Sequence, residues 1–329
     1  MHFAQTVATA TLNIPGWHWA ALIAWFAALI IIDLKLVHRK DEAPTFRSSV
    51  VQSLVWIGLG IGLGLLFWPL YGPVAAGQYF SGYLIEKSLS VDNVFAWSVI
   101  LGYFVVPKKY QYRVLYWGVF GALVMRAIFI FAGIALIKHF EPILLVFGLI
   151  LLYSGAKLLF TPESKEFDPS RSWALKQFKK FIPISKELHG HDFFTRENGK
   201  RVATMLFVAL LAVELTDIIF AVDSVPAVLA ISQDPFIVFA SNAAAILGLR
   251  SLFFVFETIK DKFWMLTHAL GILLVLIGIK MLVSPTEIFG FRWFALEMPT
   301  LANLLVIVLL IGGSMVLSLV IPDPHHSEA

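Results

Sequence analysis

The 329-residue sequence predicts an all-α, polytopic membrane protein of about nine transmembrane helices with an inverted three-helix repeat. Three observations carry this. The chain is 59% hydrophobic and only 14% charged, against roughly 25% charged in soluble domains, so its surface itself must be apolar. Nine apolar runs approach the roughly 20 residues that a spanning helix needs. The connections between them alternate between basic and nearly uncharged.

In chain order the runs cover about 17–37, 50–70, 79–105, 113–137, 141–160, 202–231, 236–257, 264–284 and 300–321. The first is preceded by MHFAQTVATATLNIPG, without Lys or Arg, so a basic leader is not expected. Lys and Arg resist translocation. They gather after the first span (Arg39, Lys40, Arg47), the third (Lys108, Lys109, Arg113), the fifth (nine, from Lys165 to Arg201) and the seventh (Lys260, Lys262). The other connections hold only Lys138 and Arg292, so the count is 17 against 2. The N-terminus is therefore expected outside and the C-terminus in the cytoplasm. The expected segments are 1–78 (two helices), 79–160 (first repeat), 161–201 (cytoplasmic loop), 202–284 (second repeat) and 285–329 (last helix and tail). Within the loop, SRSWALKQFKKFIP reads as an amphipathic interfacial helix. FFTRENGKRV reads as a hairpin turning at Asn198-Gly199.

The repeat is visible in the charged residues. SVDNVFA contains Val91-Asp92-Asn93, and AVDSVPA contains Val222-Asp223-Ser224. Asp92 follows Glu86 by six residues, as Asp223 follows Asp217. Arg126 then sits in the fourth span and Arg250 in the seventh, and SGAKLL (Gly155, Lys157) matches IGIKML (Gly278, Lys280). Three helices per unit make the second unit enter from the opposite side, as in many transporters.

An ionised carboxylate near the bilayer centre costs about 2.5–3.5 kcal/mol even on a lenient scale, so such residues face one another, a cation or a wet cavity. Glu86, Ser90 and Asn93 share one helical face, as do Glu214 and Asp217. Asp92 and Asp223 fall off those faces, and Pro226 is expected to break the sixth span and re-aim Asp223. The candidate metal ligands are Glu86, Asp92, Asn93, Glu214, Asp217, Asp223 and Ser224. Such oxygen ligands suit Mg²⁺, Ca²⁺ and Mn²⁺. The absence of cysteine excludes thiolate sites and disulfides. Some of the acids are expected to pair with Arg126, Arg250, Lys157 or Lys280, and Asp33 with Lys35. No nucleophile–base set and no HExxH occurs, so an enzyme is not expected, nor any cofactor. A formal charge of only +3 argues against a nucleic-acid partner.

GYLIEKSLSVDNVF (82–95), VELTDIIFAVDSVPA (213–227), DPFIVFASNAAAILGLR (234–250), GIKML (278–282) and the hairpin HDFFTRENGK resemble the TerC family of membrane proteins, named for tellurium resistance, and within it the Alx branch of manganese exporters. The similarity runs from about residue 20 to 320. It implies Mn²⁺ as transported substrate, Glu86, Asp92, Asp217 and Asp223 as transport residues, and a bacterial inner-membrane location. Thr216 stands where the family often has Ser, which keeps the hydroxyl. Efflux by proton exchange on the same carboxylates is the expected activity, and a homo-oligomer is compatible with it. The alternative is a non-transporting scaffold or sensor of a metal or tellurite stress-resistance complex.

Overall fold

The described residues of the computed structural model are 12, 14–37, 45–140, 142–160, 185, 190, 192–197, 200–259, 264–283 and 300–321. The side chains of Asp92 and Lys35 lie outside the description, as does the segment read as an amphipathic helix. The helices are α1 (Gly16–Val37), α2 (Phe46–Tyr103), α3 (Lys108–His139), α4 (Ile143–Phe160), α5 (Met205–Leu229), α6 (Pro235–Ile246), α7 (Leu249–Ile259), α8 (Met265–Val283) and α9 (Thr300–Val320). One hairpin joins β1 (Phe194–Glu197) to β2 (Lys200–Ala203). Its antiparallel register, Glu197 opposite Lys200, is the one an Asn198-Gly199 turn dictates.

The 58 residues of α2 would measure about 87 Å if straight, nearly three times the hydrocarbon core of a bilayer. They are not straight. Gly72 has φ 87 and ψ 171, a conformation open to glycine alone, and lies between Pro69 and Pro73. The chain doubles back there. The Tyr79 hydroxyl donates to the Gly60 carbonyl at 2.9 Å, and a Cβ on Gly60 would strike the Tyr83 ring. A continuous helix would hold residues 60 and 79 about 28 Å apart. The two arms, 46–71 and 73–103, are therefore separate antiparallel crossings.

α6 and α7 are bent by 46° at their junction. Gly248, at φ 83, makes that bend, and a Cβ there would collide with Trp56. Asp234 starts α6 by accepting from the Phe236 and Ile237 amides at 2.9 and 3.1 Å, with Pro235 in the first turn. Among the described residues, seven helices are long and apolar enough to cross alone, and the bent pair makes an eighth. The fold-back of α2 supplies the ninth.

Helix directions agree with that count. α1 runs parallel to α6–α7. The Leu12 amide donates to Asp234 at 2.6 Å, Trp19 packs on Phe236, Phe26 on Phe239, and Asp33 pairs with Arg250. First and seventh crossings must indeed be parallel. α3 and α5, the fourth and sixth, are parallel too: Gly118 faces Val213, and Gly133 faces Leu229.

α4 and α8 cross antiparallel, and their contacts carry the repeat. A Cβ on Gly155 would lie 2.6 Å from the Gly271 carbonyl, and one on Gly278 2.9 Å from the Gly148 carbonyl. Leu282 covers Gly148 as Leu159 covers Gly271, and Val275 covers Gly155 as Leu152 covers Gly278. One offset of 123 residues carries every member of α4 named here onto its partner in α8. This contact set maps onto itself when α4 and α8 are exchanged, which is the signature of a local two-fold axis through their crossing. Small residues let the backbones approach this closely.

Candidate functional site

Three helices meet around one guanidinium. The second arm of α2 buries Glu86 completely, and Glu86 forms an ion pair with Arg126 of α3. Arg126 is 2% exposed and also acts electrostatically on Asp217 of α5, itself 2% exposed. Glu214, one turn earlier on α5 and half-buried, adds its charge beside Asp217. Its carboxylate occupies the space a side chain on Gly121 would need. Gly118 and Gly121 thus explain why α5 lies close enough to α3 for Arg126 to reach Asp217. Trp97, on α2, points its indole towards Asp217, but no hydrogen bond of normal geometry closes between them.

Much of this polar chemistry is unsatisfied. Among the described residues, both oxygens of Asp217, Asn93 Oδ1, Ser224 Oγ, Asn242 Oδ1 and Trp97 Nε1 are buried without a hydrogen-bond partner. Each such group costs about 1–3 kcal/mol, and natural structures keep few of them without a reason. The hydroxyls of Ser90 and Thr216 do not help, since they donate back to the Glu86 and Ala212 carbonyls at 2.7 and 2.8 Å. Asn242 Nδ2 donates to the Val238 carbonyl at 3.0 Å, which fixes the amide orientation and leaves its oxygen without a partner. Nearby, Lys87 Nζ donates to the Ala245 carbonyl at 3.1 Å, tying α2 to α6.

The seven sequence-predicted residues do not all converge. Glu86, Glu214 and Asp217 come together, with Asn93 and Ser224 buried on the same two helices. Asp223 turns instead to α4, where Ser154 Oγ donates to its Oδ1 at 2.6 Å and Lys157 is its electrostatic partner. The expected break at Pro226 is absent, because α5 runs unbroken to Leu229. Pro226 lies in the last turn, and the Ala230 amide still bonds the Pro226 carbonyl at 2.9 Å, so Asp223 keeps its ideal helical direction. Asp92 lies on α2, with its side chain outside the description. Among the described residues, no three His, Asp or Glu side chains group closely enough to hold one metal ion. Arg126 stands between the acids instead.

The expected local pair of Asp33 with Lys35 lies outside the described residues, but Asp33 also makes a contact across 217 positions, in which Arg250 Nη2 donates to both its oxygens at 2.7 and 2.8 Å. Sequence spacing offers no signal for a pair so far apart. Trp97 was likewise missed. Gly118 and Gly121 could have been found as a small-residue face on an apolar helix.

The chain is similar to known membrane proteins over most of its length. The family described as "Integral membrane protein TerC family" matches residues 71–325. An "Uncharacterized membrane protein STKORF319" of Myxococcus xanthus is 43% identical over 302 residues, covering 92% of each chain. A "Putative membrane-bound redox modulator Alx" of Escherichia coli strain K12 is 40% identical over 275 residues, 80% of this chain and 85% of that one. Its namesake in Photorhabdus laumondii is 40% identical over 274 residues, with the same coverage. No solved structure matches.

Proposed function

The chain belongs to the TerC family of integral membrane proteins, and on that premise we propose that it exports a hard divalent cation, Mn²⁺ first, across a bacterial inner membrane. The observation that carries the reading is Asp217, a buried carboxylate with neither oxygen hydrogen-bonded among the described residues, beside Glu214 and the arginine that holds Glu86. Three ionised carboxylates against one guanidinium leave two negative charges, the complement of one divalent cation. Oxygen donors without thiolate or imidazole favour Mn²⁺, Mg²⁺ or Ca²⁺, and the resemblance to manganese exporters selects Mn²⁺ among them.

In the mechanism, Asp217 and Glu214 receive the cation while Arg126 holds Glu86. Carboxyl oxygens of Glu86 join as Arg126 yields, and the side-chain oxygens of Asn93 and Ser224 complete the shell. Arg126 is thus a resident cation that keeps the empty site from carrying three bare charges. Asp223 and Lys157, off this cluster on the α4 side, serve the path rather than the shell, as does Asp92 by the repeat. Protons compete with the cation for the same carboxylates, which supports exchange. Access alternates when one unit rocks against the other about the α4–α8 crossing. Loop charge supports an external N-terminus and a cytoplasmic C-terminus, so the cation enters from the Lys- and Arg-rich side.

A redox role, in the sense of the relatives' name, gains no thiol chemistry from this chain, which lacks cysteine. A non-transporting scaffold needs no unsatisfied buried acids. The deciding experiment is Mn²⁺ flux into proteoliposomes carrying the purified protein. Flux above that of empty liposomes supports export, and flux at the empty rate in vesicles containing folded protein favours the scaffold.

A further inference from the structure

Arg126 and Arg250 hold equivalent places in the two repeats, each following the paired acids and preceding Gly-x-Lys. They are used differently. Arg126 turns inward, to Glu86 and Asp217. Arg250, 5% exposed, turns outward to Asp33 on α1. α1 lies outside both repeats and has no counterpart in them. By sequence order Arg250 is the second repeat's counterpart of Arg126, and an inward Arg250 would enter the Glu86–Asp217 cluster as a second guanidinium. Gly248, two residues earlier, breaks the crossing at φ 83, and a cavity of about 20 Å³ lined by Asp33, Tyr116, Leu123, Gly248, Arg250 and Ser251 adjoins the pair.

The charge count makes the direction of Arg250 matter. With one guanidinium among three carboxylates, two negative charges remain for a divalent cation. With two guanidiniums, one remains, and the second side chain fills the space as well.

We propose that Asp33 is a positioning residue for cation binding: it holds Arg250 against α1, out of the carboxylate cluster, so that the cluster keeps both the charge and the room for a divalent cation. This rests on the cation reading above. The asymmetry between the repeats follows, because α1 runs along the broken crossing of the second repeat and sets Asp33 against Arg250. α1 is fastened along the broken crossing at both ends, by Asp234 to the Leu12 amide and by Asp33 to Arg250.

The test uses the full chain in lipid nanodiscs and has a metal-free arm. Without divalent metal, the melting shift caused by Asp217→Asn is measured in the wild-type and Asp33→Asn backgrounds. A released Arg250 leans on Asp217, so the shift becomes several degrees more destabilising in the Asp33→Asn background. Additive shifts overturn the proposal. In the second arm, Mn²⁺ binding is followed by electron paramagnetic resonance. Asp33→Asn weakens it on the order of tenfold or more, through one added charge in a poorly screening interior. Asp33→Asn/Arg250→Lys stays weak, and Asp33→Asn/Arg250→Gln recovers. Wild-type affinity in Asp33→Asn, or no recovery in a double variant that melts like wild type, overturns the proposal. The swapped pair Asp33→Arg/Arg250→Asp keeps the buried charges matched and the guanidinium on α1, so it covers the case in which Asp33→Asn does not fold. It must retain Mn²⁺ binding, and loss of binding in a swapped protein that melts like wild type overturns the proposal too. A wild-type protein that binds no Mn²⁺ defeats the cation reading, and the metal-free arm still decides where Arg250 goes.

Discussion

Replacing Asp217 by Asn keeps its shape and removes one negative charge from the centre of the cluster. Arg126 retains Glu86 as its ion-pair partner, so no buried cation is orphaned. The carboxylate itself has no hydrogen bond among the described residues to lose. Stability should therefore change little. Cation binding should change a great deal. Two unit charges 4 Å apart attract by about 4 kcal/mol at an effective dielectric of 20, and a divalent ion doubles that. If desolvation and competing ligands cancel three quarters, about 2 kcal/mol is lost, roughly a thirtyfold rise in Kd. Glu86→Gln makes the contrast, because it strips Arg126 of its ion pair. Breaking a buried pair costs about 3–5 kcal/mol, so this variant should show poor membrane yield and a lowered Tm. The assay is Tm and Mn²⁺ binding for both purified variants. Wild-type Mn²⁺ affinity in Asp217→Asn refutes the reasoning, as does a Tm loss in it equal to that of Glu86→Gln.

Three further expectations are open to measurement. Mn²⁺ affinity should fall as pH falls, because protons occupy the carboxylates the cation needs, and the dependence should flatten in Asp217→Asn; isothermal titration across mildly acid to alkaline pH checks both. Gly155→Ala and Gly278→Ala each push a Cβ against a facing backbone carbonyl, so each should cost about 1–3 kcal/mol, and their near-equal Tm losses would report the two-fold relation; a large loss in only one contradicts it. Asp223→Asn keeps a hydrogen bond from Ser154 and loses only the attraction of exposed Lys157, so stability should move by less than about 1 kcal/mol while Mn²⁺ flux drops, a split that yield and flux measured together will display.

Hydropathy and loop charge sufficed for the nine crossings because the bilayer imposes a length and a charge rule on every helix, whatever packs against it. Caps and hairpins were legible for the same local reason: Asp234-Pro235 starts α6, and the residues on either side of Asn198-Gly199 pair as antiparallel strands. The glycines that match between α4 and α8 were legible as motif, though not as a crossing. What failed was direction across space. Helical periodicity says which face carries Asp223 but not that α4 lies there with Ser154. A proline near a helix end suggests a break, yet in the last turn of α5 little helix remains beyond Pro226 to redirect. The Asp33–Arg250 pair joins helices whose adjacency is a product of the whole fold. Arg126 could be named as a partner for the acids, but that one guanidinium would serve both repeats' first acids followed only from the α3–α5 approach at Gly118 and Gly121.

The central claim is that the buried acids exist to move a cation. Its most direct measurement is Mn²⁺ flux per reconstituted molecule, in proteoliposomes of wild type and of Asp217→Asn at matched protein content, with and without an imposed proton gradient. The account predicts gradient-dependent flux in the wild type and the empty-liposome rate in a variant that is folded and inserted. Wild-type flux in Asp217→Asn, or no flux from folded wild type, would contradict it.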